Sequence, residues 1–170
     1  MTSKERRSQI SKLLIGSKEP QKGSDLAKKF QVTRQVIVKD IAILRASGAN
    51  IIATPDGYII YENQDYKVRR VIAVNHKREE MRHELLIIIK YGGTIEDVIV
   101  EHPVYGEIKA MLMIKNINDL DNFLEKFSEH NAEPLSLLTG GIHLHTIAAE
   151  SHEDMRKIMV ELENNKLLVT

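Results

Sequence analysis

The sequence predicts an α+β chain of two modules. The first is an N-terminal winged helix-turn-helix over residues 1–62. The second is a C-terminal split-βαβ, ferredoxin-like domain with an antiparallel sheet over 68–170. Three observations carry this. Three amphipathic helical stretches and a turn-punctuated pair of β-branched segments fill the first sixty residues. The second half alternates in the order β-α-β-β-α-β-α. Charge also divides at the same place: residues 1–60 hold 11 Lys or Arg against 5 Asp or Glu, and the remainder hold 13 against 19. A basic module joined to an acidic one points to a polyanionic partner for the first alone.

In the first module, residues 4–15 form a helix with Ile10, Leu13 and Leu14 on one face. Residues 16–23 read as a loop. Ser24 is expected to cap a short helix holding Leu26, Ala27 and Phe30. Thr33 is expected to cap a longer one, residues 34–46, with Ile37, Ile41 and Leu44 at helical spacing. Ile51–Ala53 and Tyr58–Ile60 then form a hairpin around Thr54-Pro55-Asp56-Gly57, where proline presets one backbone angle and glycine accepts the next. Residues 62–67 are expected to link the modules.

In the second module, strands are expected over 68–74, 95–100, 108–114 and 142–148. Helices are expected over 78–91, from Asn118 to about 129, and after a Ser151 cap. The chain has no cysteine, which excludes disulfides and thiolate chemistry. No apolar run approaches the ~18 residues of a membrane span, and the polar N-terminus does not read as a signal peptide. A cytoplasmic location is the simplest expectation.

Two groups of residues carry chemistry. The N-terminal end of a second helix in this layout enters the DNA major groove. Here that end offers Thr33, Arg34, Gln35, Val38 and Lys39. Arg pairs with guanine and Gln with adenine through two hydrogen bonds each, and Val38 suits a thymine methyl. Arg45, Lys28 and Lys29 suit phosphates.

The second group is histidine-rich. His143 and His145 stand on one face of a strand, because side chains alternate with period two. His76 at the exit of the first strand and Glu84 on the next helix are expected to converge with them. Three imidazoles and a carboxylate suit one divalent transition metal per chain, zinc or nickel ahead of oxygen-preferring ions. His83 is expected to be exposed, and His130 and His152 to be surface or helix-end residues. His102 and Tyr105 either pack a hairpin corner or line an effector pocket. A metal-responsive regulator, a metal-dependent hydrolase and a simple dimerisation module are alternative readings of this half.

The segments Glu101-His102-Pro103-Val104-Tyr105-Gly106-Glu107-Ile108 and Thr139-Gly140-Gly141-Ile142-His143-Leu144-His145-Thr146-Ile147 resemble the signatures of the three-histidine domain. That domain follows a winged helix in bacterial niacin-responsive repressors of NAD biosynthesis and niacin-uptake genes. The resemblance covers essentially the whole chain in the same domain order. It implies a dimeric, non-enzymatic repressor of operator DNA, with nicotinic acid as co-repressor. It also implies a metal site at His76, Glu84, His143 and His145.

Overall fold

The computed structural model describes residues 1–60 and 68–169. The expected link over 62–67 lies outside the described residues. The chain divides into two compact units, Met1–Gln64 and Asp65–Thr170.

The first unit opens with α1 (Ser3–Ile15), whose start is fixed by a reciprocal cap. The Glu5 amide donates to the Thr2 hydroxyl, and the Thr2 amide donates to the Glu5 carboxylate at 2.7 Å. Next come α2 (Gly23–Phe30) and α3 (Arg34–Ala46). Thr33 caps α3 as expected, accepting from the Val36 amide at 3.3 Å. Ser24 does not cap α2. That helix starts two residues earlier, with Lys22 at its cap position and no side-chain bond there.

The core gathers Ile10, Leu14, Leu26, Phe30, Ile37 and Ile41, with Ile51 from the hairpin. The strands β1 (Ile51–Thr54) and β2 (Gly57–Ile60) pair antiparallel. One rung escapes the sequence reading. Gln21, expected in a loop, bridges Tyr58 through two backbone bonds of 2.8 and 2.9 Å. The approach is so close that a Cβ on Gly57, which has φ +132°, would sit 2.4 Å from the Gln21 carbonyl oxygen. Only glycine fits there.

The second unit contains β3 (Val68–Asn75), α4 (Met81–Lys90), β4 (Thr94–His102), β5 (Gly106–Ile114), α5 (Ile117–Glu129), β6 (Ile142–Ala149) and α6 (His152–Asn164). The expected helix over 78–91 is a 3₁₀ turn, Arg78–Glu80, followed by α4. Asn116, not Asn118, caps α5, accepting from the Asp119 amide at 2.9 Å. Ser151 caps α6 as expected.

The strands lie in the order β3-β6-β4-β5, with every neighbouring pair antiparallel. Both helical connections are therefore split. β3–α4–β4 straddles β6, and β5–α5–β6 straddles β4. This is the α+β arrangement expected, and it places β3 directly beside β6. The outer side of β3 is partly covered by the chain end, where Asn75 donates to the Leu167 carbonyl and Val169 to that of Ala73. Ile72, Val74, Leu85, Ile88, Ile147, Ile158 and Leu162 belong to the core between sheet and helices. No helix among the described residues is long and apolar enough to cross a membrane.

Candidate functional site

Within the first unit, Arg34, Gln35, Lys39 and Arg45 are exposed on α3, Thr33 is exposed at its cap, and Val38 is half-buried. Lys28 and Lys29 are exposed on α2. The opposite side of α3 holds a residue that the sequence reading missed. Asp40 is buried, with 2% of its surface exposed. Arg6 Nε donates to its Oδ2 at 2.6 Å, and Arg7 also reaches its Oδ1, at 3.4 Å. Both arginines lie on α1, so the pair clamps α1 to α3.

Within the second unit, the register of β3 against β6 sets the geometry. Ile72 faces His145 and Val74 faces His143. His76 follows Val74 by two residues, at the exit of β3. Glu84 reaches the same point from α4. All four side chains are buried. The ligand atoms of His76, Glu84 and His143 lie within 4.8 Å of one another. His145 Nε2 lies 3.5 Å from Glu84 Oε1. The imidazoles of His76 and His145 each meet that of His143 edge-on, with centroids 4.8 Å apart.

The outer nitrogens are all committed. His76 Nδ1 contacts the Lys77 carbonyl at 2.9 Å, His143 Nδ1 that of Gly141 at 2.8 Å, and His145 Nδ1 that of Asp97 at 2.5 Å. A carbonyl oxygen can only accept, so each Nδ1 carries a proton and each Nε2 is left for the centre. The register of β4 shifts on both sides between Ile95 and Ile99, and Asp97 lies in this irregular stretch. Such a bulge frees a carbonyl from the regular ladder. Gly141, at φ +103°, packs its α-carbon so close that an added Cβ would lie 2.7 Å from Asn75 Oδ1.

The electrostatics follow from this packing. Burial alone would push the Glu84 carboxyl up. The charge of His145 and its close approach to the carboxylate, with the hydrogen bond and charge of His76, outweigh burial and hold it well below the usual carboxylate range. Burial would likewise push His76 and His145 down, but Glu84 raises both above their ordinary value. For His143, burial and the neighbouring charge of His145 win and lower its pKa to about 4. His143 is therefore neutral at pH 7, with a lone pair on Nε2.

Glu84 Oε2 sits 2.8 Å from His76 Nε2, while Oε1 is buried with no hydrogen-bond partner. A carboxylate and three inward nitrogens in a sealed space call for shared protons or a cation. The donor set, three imidazoles and one carboxylate, fits a transition metal. The carbonyls that hold each Nδ1 supply the outer anchoring such sites use.

The other histidines do not join the cluster. His83 is exposed and bonds Asn165 Oδ1 at 2.9 Å. His130 ends α5, and His152 opens α6 in solvent. His102 Nδ1 accepts the amides of Val104 and Tyr105 at 3.1 and 3.2 Å, which shapes the β4–β5 turn. Its ring packs on Tyr105, which is 78% exposed. Neither residue lines the two cavities that border the cluster.

Fold and site together define a helix-turn-helix protein with a second unit that buries a histidine-rich cluster. The sequence pattern of an HTH domain matches residues 6–59, and that of the 3H domain matches 69–170. The chain is 46% identical over 165 residues to the probable transcription repressor NiaR of Thermotoga maritima, covering 97% of this chain and 94% of that protein. It is 39% identical over 167 residues to the transcription repressor NadR of Bacillus subtilis, covering 96% and 93%. The chain belongs to this family of 3H-domain transcription repressors.

Proposed function

We propose that the chain is a cytoplasmic, homodimeric transcription repressor that uses nicotinic acid as co-repressor and controls NAD biosynthesis or niacin uptake genes. Residues 1–62 bind operator DNA, and residues 68–170 hold the metal and the effector. Thr33, Arg34, Gln35, Val38 and Lys39 read base edges, and Arg45 contacts phosphate. His76, Glu84, His143 and His145 hold one divalent transition metal, zinc or nickel.

The observation that carries this reading is the cluster itself. It buries an incompletely partnered carboxylate among inward imidazole nitrogens, in a family of repressors. When bound, the ion supplies a Lewis-acid centre able to accept a donor atom from a small ligand. The chain's own residues supply the coupling. His76 follows directly after β3, Glu84 rides on α4, and His143 and His145 belong to β6. A change at their meeting point therefore acts on three elements at once. The effector favours the arrangement whose half-site spacing fits the operator, through its differential affinity for the two arrangements. For a dimer that spacing is about 34 Å or a multiple.

The test is an anisotropy titration of operator DNA, selected from a random pool, with metal-loaded protein. Nicotinic acid is expected to tighten binding about tenfold or more, within the usual range of coupling between sites, and nicotinamide to leave it unchanged. Equal affinity with and without the acid contradicts the niacin reading. Tightening by metal alone assigns the signal to the ion.

A further inference from the structure

Two cavities border the histidine cluster, and they differ in charge. One, about 570 Å³, reaches His143 and is lined by Glu101 and Glu107 with no Lys or Arg. The other, about 470 Å³, reaches His76 and is lined by Lys77 and Arg78 together with Glu79 and Glu133. Both lie in the size range of small-molecule sites. A carboxylate entering the first meets two like charges. One entering the second meets a guanidinium fork and an ammonium that offset Glu79 and Glu133.

We propose that the anionic group of the effector docks in the His76 cavity and that Arg78 selects for it. This deepens the niacin-sensor reading above and rests on it. Arg78 stands at the turn into α4, with its guanidinium 5.8 Å from the centre of the Phe127 ring. Its NH1 lies 3.4 Å from Glu133 Oε2, and both side chains are exposed. Such an exposed pair is weak and easily exchanged, whereas a carboxylate held two-pronged by Arg is among the stronger polar contacts. Glu133 thus occupies the place an effector carboxylate takes. Pro134 and Leu137 add apolar wall to the same cavity, suited to a flat ring, and His76 ties it to the cluster.

The experiment has two arms on the zinc-loaded full chain. In the first, calorimetry follows nicotinic acid and nicotinamide. Arg78→Ala should weaken the acid about tenfold, the usual loss for a hydrogen bond to a charged group, with thermal stability unchanged. Glu133→Gln should tighten it about threefold by removing the competitor. The double variant Glu101→Gln, Glu107→Gln should change nothing. Tightening by the double variant, with none from Glu133→Gln, puts the acid in the other cavity and overturns the proposal. In the second arm, NMR follows the Arg78 side-chain N–H resonance with nicotinate and with benzoate. If benzoate shifts it while nicotinate binds nowhere, the niacin reading fails and the carboxylate site stands. If neither anion shifts it, the proposal is overturned.

Discussion

Each unit buries one carboxylate on a helix, and the two are treated differently. Asp40 on α3 is met by two guanidiniums from α1, one for each oxygen. Its charge is neutralised from within the unit, and the result is a closed clamp. Glu84 on α4 is more deeply buried, and its neighbours are imidazoles, which can give up their protons: Oε2 lies 2.8 Å from His76 Nε2, and Oε1, with no hydrogen-bond partner, lies 3.5 Å from His145 Nε2. Those imidazoles, with that of His143, have their outer nitrogens already tied down. A structural charge is satisfied by fixed cations on the same fold. A binding site instead keeps its donors oriented and its charge open to something exchangeable.

Breaking the open site should have the largest effect. Glu84→Gln removes the anionic ligand while keeping the shape, and metal affinity should fall by at least about a thousandfold. That exceeds the 10–100-fold typical of losing an outer anchor, and calorimetry with zinc measures it. Breaking the closed clamp comes next. Asp40→Ala leaves two partly buried arginines unpaired and should destabilise the first unit by about 3 kcal/mol, read by denaturant unfolding. Zinc stoichiometry should stay at one per chain. Loss of metal binding in this variant would contradict the separation drawn between the two carboxylates.

Gly141→Ala sharpens the comparison. The new Cβ meets the His76 carbonyl as well as Asn75, and φ +103° is strained for any side chain, so the Gly141 carbonyl that orients His143 shifts. Metal affinity should drop about 10- to 100-fold with all four ligands still present. On the DNA side, Arg34→Ala should cost about 1–3 kcal/mol of operator affinity and relax base choice. Arg45→Ala should weaken all sequences alike and lower the salt slope by about one unit.

Proton competition gives the gentlest test. His76 and His145 hold protons to higher pH than an ordinary imidazole, because Glu84 is beside them. Metal must displace those protons. Affinity should therefore rise with pH through the neutral range and level off above the raised values. His143, lowered to about 4, is already free of its second proton there and adds no dependence. A zinc affinity flat from pH 6 to 8 would contradict this assignment.

Much of this was legible in the chain. The helical stripe of Ile37, Ile41 and Leu44 and the Thr33 cap marked α3. The period-two spacing of His143 and His145 put both rings on one face. The topology β3 beside β6 then explains why His76 joins them. Other features depend on contacts that no local pattern encodes. Asp40 meets partners more than thirty residues away, so it read only as a polar residue within a helix. The single rung from Gln21 to Tyr58 has no periodicity to reveal it. The Asp97 carbonyl is available to His145 within an irregular stretch of β4, which alternation of side chains does not announce. At α2 and α5, several polar residues stand near the helix start, and composition alone chose the wrong position.

The most direct test is calorimetric titration of the metal-free protein with zinc at pH 7.5, beside Glu84→Gln. One ion per chain bound by the wild type, with saturable binding lost in the variant, is the result expected. Absence of saturable binding, or binding that survives Glu84→Gln unchanged, would contradict the view that this buried carboxylate is held open for a metal.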